Sequence, residues 1–126
     1  MILVDTMGEL MTFYALAAVT FVGKSLVAPG GGQNMIEPAG LAKPVLFGPH
    51  VQNFADTRDA LISKGAAREV KDAADLESVL AQLLADERLR ADLGASAKAV
   101  VDSLRGATDR TLDILEDVLA SRPKTR

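Results

Sequence analysis

Short apolar runs separated by helical stretches organise the first 70 residues, and that alternation leaves few folds open. Met1–Val4, Val19–Val22 and Val45–Phe47 are too short for helices and too apolar for strands with one wet face. Strands buried on both faces have this character and occur in parallel sheets. A fourth, more polar run, Ala67–Val70, follows the same rhythm. Between the runs, Glu9–Ala17 fits a helix whose first carboxylate favours the positive N-terminal end. Asn34 is placed to cap a second helix through Ala42, with Pro38 tolerated near its start. Asn53 or Asp56 opens a third, which runs to Lys64 and stops at Gly65. Strand–helix alternation with short connections predicts an α/β, Rossmann-like parallel sheet flanked by helices.

Beyond residue 70 the chain changes character. Asp72 or Asp75 opens a helix carrying Leu76, Val79, Leu80, Leu83 and Leu84 on one face. A turn at Ala85–Asp86 leads into a helix over Glu87–Leu104, and Gly106 is expected to separate it from a last one. The charged positions Asp86, Glu87, Arg88, Arg90 and Asp92 read as a solvated face. The 126 residues are therefore expected to form one domain, a βα core over residues 1–70 followed by C-terminal helices over residues 71–126.

Composition removes whole classes of chemistry. The absence of Cys excludes disulfides, thiolate metal sites and a Cys nucleophile, and one His excludes the usual zinc and iron constellations. A net charge of -3 argues against non-specific nucleic-acid binding, and aromatics at 4% leave little for base-stacking or carbohydrate platforms. No metal or cofactor is expected. Asp5 and Glu9 stand where a signal peptide carries positive charge. The apolar stretch Leu10–Val22 is shorter than the ~20 residues of a membrane span. A soluble piece with no transmembrane segment is expected.

Ligands of parallel sheets bind at the carboxyl ends of the strands. Thr6–Leu10, Gly23–Asn34 and Gly48–Asn53 fall there. Gly23-Lys24-Ser25 has the last residues of a P-loop, but position 18 is Ala and precedes the strand, and Pro29 follows where a helix is required. Gly30-Gly31-Gly32-Gln33-Asn34 has two readings. It is a phosphate cradle of bare amides before a helix N-terminus, or a flexible glycine loop before a capped helix. Glu37, one turn on, is suited to accept from a ribose diol. His50 is a lone loop histidine around which no triad assembles.

Taken in order, Asp5–Leu10, Tyr14, Phe21-Val22-Gly23, Ser25-Leu26-Val27, Gly31–Ala39, Lys43–His50 and Asn53-Phe54 resemble the C-terminal domain of the 3-deoxy-D-manno-octulosonic acid (Kdo) transferases. The resemblance implies part of the C-terminal half of a GT-B glycosyltransferase, two Rossmann-like halves with the active site between them. It implies transfer of Kdo from CMP-Kdo to a lipid A precursor in lipopolysaccharide core biosynthesis, at the cytoplasmic face of the bacterial inner membrane. Carried over by motif, Gly8, Glu9, Leu10, Gly31, Gly32, Gln33, Asn34, Met35, Ile36 and Glu37 line the CMP site. Glu37 faces the ribose and the 31–34 amides face the phosphate. Ser25, His50 and Asn53 are the candidates for the donor side.

The family usually has Gly-Gly-Ser at Gly23-Lys24-Ser25 and Gly-Gly-His-Asn at Gly31-Gly32-Gln33-Asn34, with a loop one residue shorter. Its catalytic base is a Glu of the N-terminal half. The resemblance thus makes this chain a fragment, inactive by itself, with no catalytic residue of its own. An unpaired edge at Met1–Val4 is expected to drive self-association. Two other readings are another GT-B nucleotide-sugar enzyme, a glycosyltransferase or an epimerase, and a non-catalytic nucleotide-binding or assembly module.

Overall fold

The structure, a computed structural model, describes residues 3–5 and 7–120. Its sheet has three parallel strands in the order β1 (Thr20–Phe21), β2 (Val45–Phe47), β3 (Arg68–Glu69). Around them lie α1 (Leu10–Leu16), α2 (Ile36–Gly40), α3 (Ala55–Ser63), α4 (Ala73–Ala85) and α5 (Glu87–Ala120). Thr20 stands opposite Val45, and Leu46 opposite Arg68. Backbone bonds extend the pairing at both strand ends, with Thr20 N donating to Pro44 O at 2.9 Å and Val22 N to Leu46 O at 2.8 Å.

The central strand explains the two-layer cover. Successive residues of β2 point to opposite faces, and all three are fully buried. Val45 and Phe47 enter a cluster with Met35 and Ala39 of the α2 region, Leu61 of α3, and Ala97 and Val101 of α5. Leu46 enters a second cluster with Leu83 of α4 and Leu93 of α5. A strand read as buried on both faces is buried on both faces.

Two expectations change. Of the Met1–Val4 strand, Met1 and Ile2 lie outside the described residues, while Leu3 and Val4 are exposed and belong to no strand. The third strand of the sheet falls within the expected Ala67–Val70 run, as Arg68–Glu69 anchored by buried Ala67 and Val70, with Val70 N donating to Phe47 O at 2.8 Å. Leu3 and Val4 therefore form no apolar strand edge of the kind expected to drive self-association. Gly106 also fails to break the helix: α5 runs through it for 34 residues, about 51 Å at the α-helical rise. One interior glycine costs only about 1 kcal/mol relative to alanine, too little to divide so long a helix. Among the described residues of α5, the buried apolar side chains Leu93, Ala97, Val100 and Val101 lie in its N-terminal half.

Local capping sets the helix starts. Asp72 Oδ1 accepts from Asp75 N and Asp75 Oδ2 from Lys71 N, both at 2.9 Å, a reciprocal cap for α4. Asp86 Oδ1 accepts from Leu89 N at 2.9 Å and opens α5. Gly94 lets α5 touch the chain beyond α2, since a Cβ there would lie 2.0 Å from the Ala42 carbonyl oxygen.

Candidate functional site

The loops leaving β1 and β2 emerge side by side because their strands are parallel neighbours. They are knit together by backbone bonds. His50 N donates to Ser25 O at 2.8 Å, Gly31 N to His50 O at 3.0 Å, and Asn53 N to Gly31 O at 3.3 Å. Within the first loop, Gly32 N donates to Lys24 O at 3.0 Å. Ser25 closes the arrangement from below. Its fully buried hydroxyl donates to Val22 O at 2.5 Å and accepts from Gly48 N at 2.8 Å.

These bonds revise the part expected of several residues. The N–H groups of Gly31 and Gly32 are committed to His50 and Lys24 carbonyls, so those two amides have no bare N–H for a phosphate. The glycines answer a different need. Gly30, Gly31 and Gly32 have φ of 59°, 106° and 76°, and a Cβ at each would come within 2.9 Å or less of His50, Asn53 or Val51. They permit a left-handed path and a close approach between loops, which also removes the reading of a flexible glycine loop. Ser25 is likewise a fastening, since its buried hydroxyl is already bonded in both directions.

The next residues keep their donors free. Among the described residues, the amides of Gln33, Asn34 and Met35 donate to no acceptor. Asn34 organises the turn into α2. Its Oδ1 accepts from Ile36 N at 2.9 Å and its Nδ2 donates to Glu37 Oε1 at 3.2 Å. The cap thus acts from one position further out than the sequence suggests, and it orients the Glu37 carboxylate. Met35 is fully buried, backbone included, and Ile36 packs half-buried on the core, so Met35 anchors the loop while Gln33, exposed, and Asn34, half-buried, face outward.

Helix α1 packs against α2. Gly8 turns the chain into it with φ 87°, and Gly8, Glu9 and Leu10 are exposed at its start. Tyr14 is half-buried, and burial followed by the negative charge of Glu37 raises its pKa above the ordinary tyrosine value. This places Tyr14 within the electrostatic reach of the Glu37 carboxylate, a neighbour that no motif in the sequence signals. His50 and Asn53 flank the glycine run, His50 half-buried and Asn53 exposed. Lys24, which stands where the resembled family usually has glycine, is left-handed at φ 55°.

A hollow of about 400 Å³ lies elsewhere, between α3 and α5, lined by Ala60, Ser63, Lys64, Ser96, Val100 and Leu104 among others. It shares no residue with the strand-end loops. Among the described residues, no group of three or more His, Asp or Glu side chains is placed to hold a metal ion, and no helix is long and apolar enough to cross a membrane.

No family model matches the chain. A 3-deoxy-D-manno-octulosonic acid transferase of Bordetella pertussis is 44% identical over 91% of this chain, and one of Haemophilus influenzae is 40% identical over 94%. The chain spans 27% and 28% of the length of these two proteins. Among solved structures, the C-terminal CMP-Kdo binding domain of WaaA from Acinetobacter baumannii aligns with a TM-score of 0.74 and 39% identity. That alignment covers 78% of this chain and 51% of that one.

Proposed function

Since this chain is a counterpart of the C-terminal domain of the Kdo transferases, we propose that it holds the nucleotide of a CMP-Kdo donor at the loop running from Gly31 into α2. In this reading the phosphate meets the amides of Gln33 and Asn34, and Glu37 accepts from the ribose hydroxyls. Gly8, Glu9 and Leu10 at the start of α1 form the facing wall. Gly31 and Gly32 shape the loop, and His50 and Asn53 border it on the side toward the sugar. The observation that carries the reading is the Asn34 side chain, which bonds the Ile36 amide and the Glu37 carboxylate at once. It sets an acceptor for a diol beside a row of free amide donors.

The longer protein would transfer Kdo to a lipid A precursor at the cytoplasmic face of the inner membrane. This part would present the donor. Acceptor binding and removal of the acceptor proton would fall to the rest of the enzyme, so this chain by itself should show no transfer. The relatives are named transferases, which disfavours an epimerase or a non-catalytic module.

Calorimetric titration with CMP tests the site. Glu37→Ala should lose about 1.5–3 kcal/mol of binding, the worth of a hydrogen bond to a charged group. Equal CMP affinity in the two proteins would remove Glu37 from the site.

A further inference from the structure

We infer that Lys24 supplies a positive charge to the donor site, its ammonium receiving an anionic group of the bound nucleotide sugar; this rests on the donor-site reading above. Lys24 has φ 55°, in the region where a Cβ is penalised and glycine is at ease. The other left-handed positions of this loop, Gly30, Gly31 and Gly32, are glycines, and at each of them a Cβ would strike the neighbouring loop. Lys24 occupies the same kind of backbone with its side chain exposed to solvent. Non-glycine residues held in such conformations concentrate at functional sites.

Position and charge say what the side chain does. The Lys24 carbonyl accepts the Gly32 amide at 3.0 Å, which pins the lysine beside the residue preceding the free, accessible amides of Gln33 and Asn34. Among the described residues, its ammonium makes no hydrogen bond and no ion pair. It is the sole Lys or Arg between Gly23 and Glu37. An anion brought to those amides meets the Glu37 carboxylate a few residues on, in a chain of net charge -3. A lysine on the same loop offsets that repulsion. A donor of this class carries two anionic groups, the phosphate and the carboxylate of the sugar acid, and either suits an ammonium.

Titration of the unsubstituted chain and of Lys24→Gly, Lys24→Asn and Lys24→Arg with cytidine, CMP and CMP-Kdo decides the matter. Gly and Asn both tolerate the left-handed backbone, so each removes charge without adding strain. Both variants should bind CMP-Kdo about three- to tenfold more weakly, with Lys24→Arg close to the unsubstituted chain. The deficit should shrink with added salt, cytidine binding should not change, and Lys24→Gly should melt no lower than the unsubstituted chain. A deficit with both CMP and CMP-Kdo assigns the contact to the phosphate, and a deficit with CMP-Kdo alone assigns it to the carboxylate. No deficit with either overturns the inference, and so does an equal deficit with cytidine accompanied by a lower melting point. In both cases Glu37→Ala still judges the site by itself. Absence of binding by the unsubstituted chain overturns the donor-site reading and Lys24 with it.

Discussion

The Ser25 hydroxyl and the Gly48 amide meet at 2.8 Å in the buried floor beneath two loops, 23 residues apart in the chain. The same oxygen donates to the Val22 carbonyl at 2.5 Å. One side chain thereby ties the exit of β1 to the exit of β2. Gly48 is equally constrained, since a Cβ there would lie 2.3 Å from the Ser25 carbonyl oxygen.

Ser25→Ala leaves the Gly48 N–H buried with no acceptor. The expected cost is about 1–3 kcal/mol, the penalty for an orphaned buried donor. Denaturant unfolding measures it, and a change below the error of the extrapolation would show that the floor repacks.

Thr20→Val should act in the other direction. The Thr20 hydroxyl is buried and has no hydrogen-bond partner among the described residues. Valine keeps the shape and removes the unpaired polar atom, which is worth about 1 kcal/mol or more of stability. Thermal melting should show a higher midpoint; a lower one would mean that the hydroxyl is satisfied in solution.

Two glycines of α5 should respond with opposite signs to the same substitution. Gly94→Ala drives a Cβ against the Ala42 carbonyl oxygen, 2.0 Å away, and should cost about 1–3 kcal/mol after the helix-propensity gain is counted. At Gly106 the nearest atom to such a Cβ is Arg110 Nη1 at 3.6 Å, so Gly106→Ala should gain up to about 1 kcal/mol. Circular dichroism melts of the two variants give the comparison directly.

Tyr14 is the one tyrosine in the chain, so tyrosinate absorbance reports on it alone. Burial first, and then the charge of Glu37, raise its pKa. As pH climbs, the folded state keeps this proton longer than the unfolded chain. The contribution to stability is therefore whole below the ordinary value of about 10 and is lost as pH rises through the folded value. Glu37→Gln should move the titration midpoint down toward the ordinary value. An unchanged midpoint would mean that burial alone sets it.

What the sequence reveals depends on how far apart the interacting residues lie. Val45–Phe47 is legible because burial on both faces is written into three consecutive residues. Asp72 and Asn34 are legible because a cap acts within two or three positions. Gly30–Gly32 are not, because their reason is the His50–Asn53 segment of the next strand's loop, and nothing local announces it. The same holds for Gly31 and Gly32 as phosphate donors: the residues that take up their N–H groups are His50 and Lys24. Arg68–Glu69 is a strand despite two charged residues, because Ala67 and Val70 on either side are buried. Met1–Val4 shows the converse, an apolar run whose described members, Leu3 and Val4, lie outside any strand. Among the site residues, the Asn34–Glu37 pairing follows from their spacing, whereas the left-handed backbone of Lys24 is visible only in three dimensions.

The bonds between the Lys24–Gly32 and His50–Asn53 segments bear on how quickly a ligand is captured. Ordering a mobile loop during binding consumes part of the interaction energy and delays the final complex. Here the conformational entropy of both segments is given up when the sheet forms, through the bonds that use the Gly31, Gly32, His50 and Asn53 amides. A nucleotide arriving at this edge meets a shape already set, so association should follow a single phase, linear in ligand concentration. Breaking the fastening at Ser25 returns that entropy to the free protein, and the loss of affinity should then appear largely as slower association.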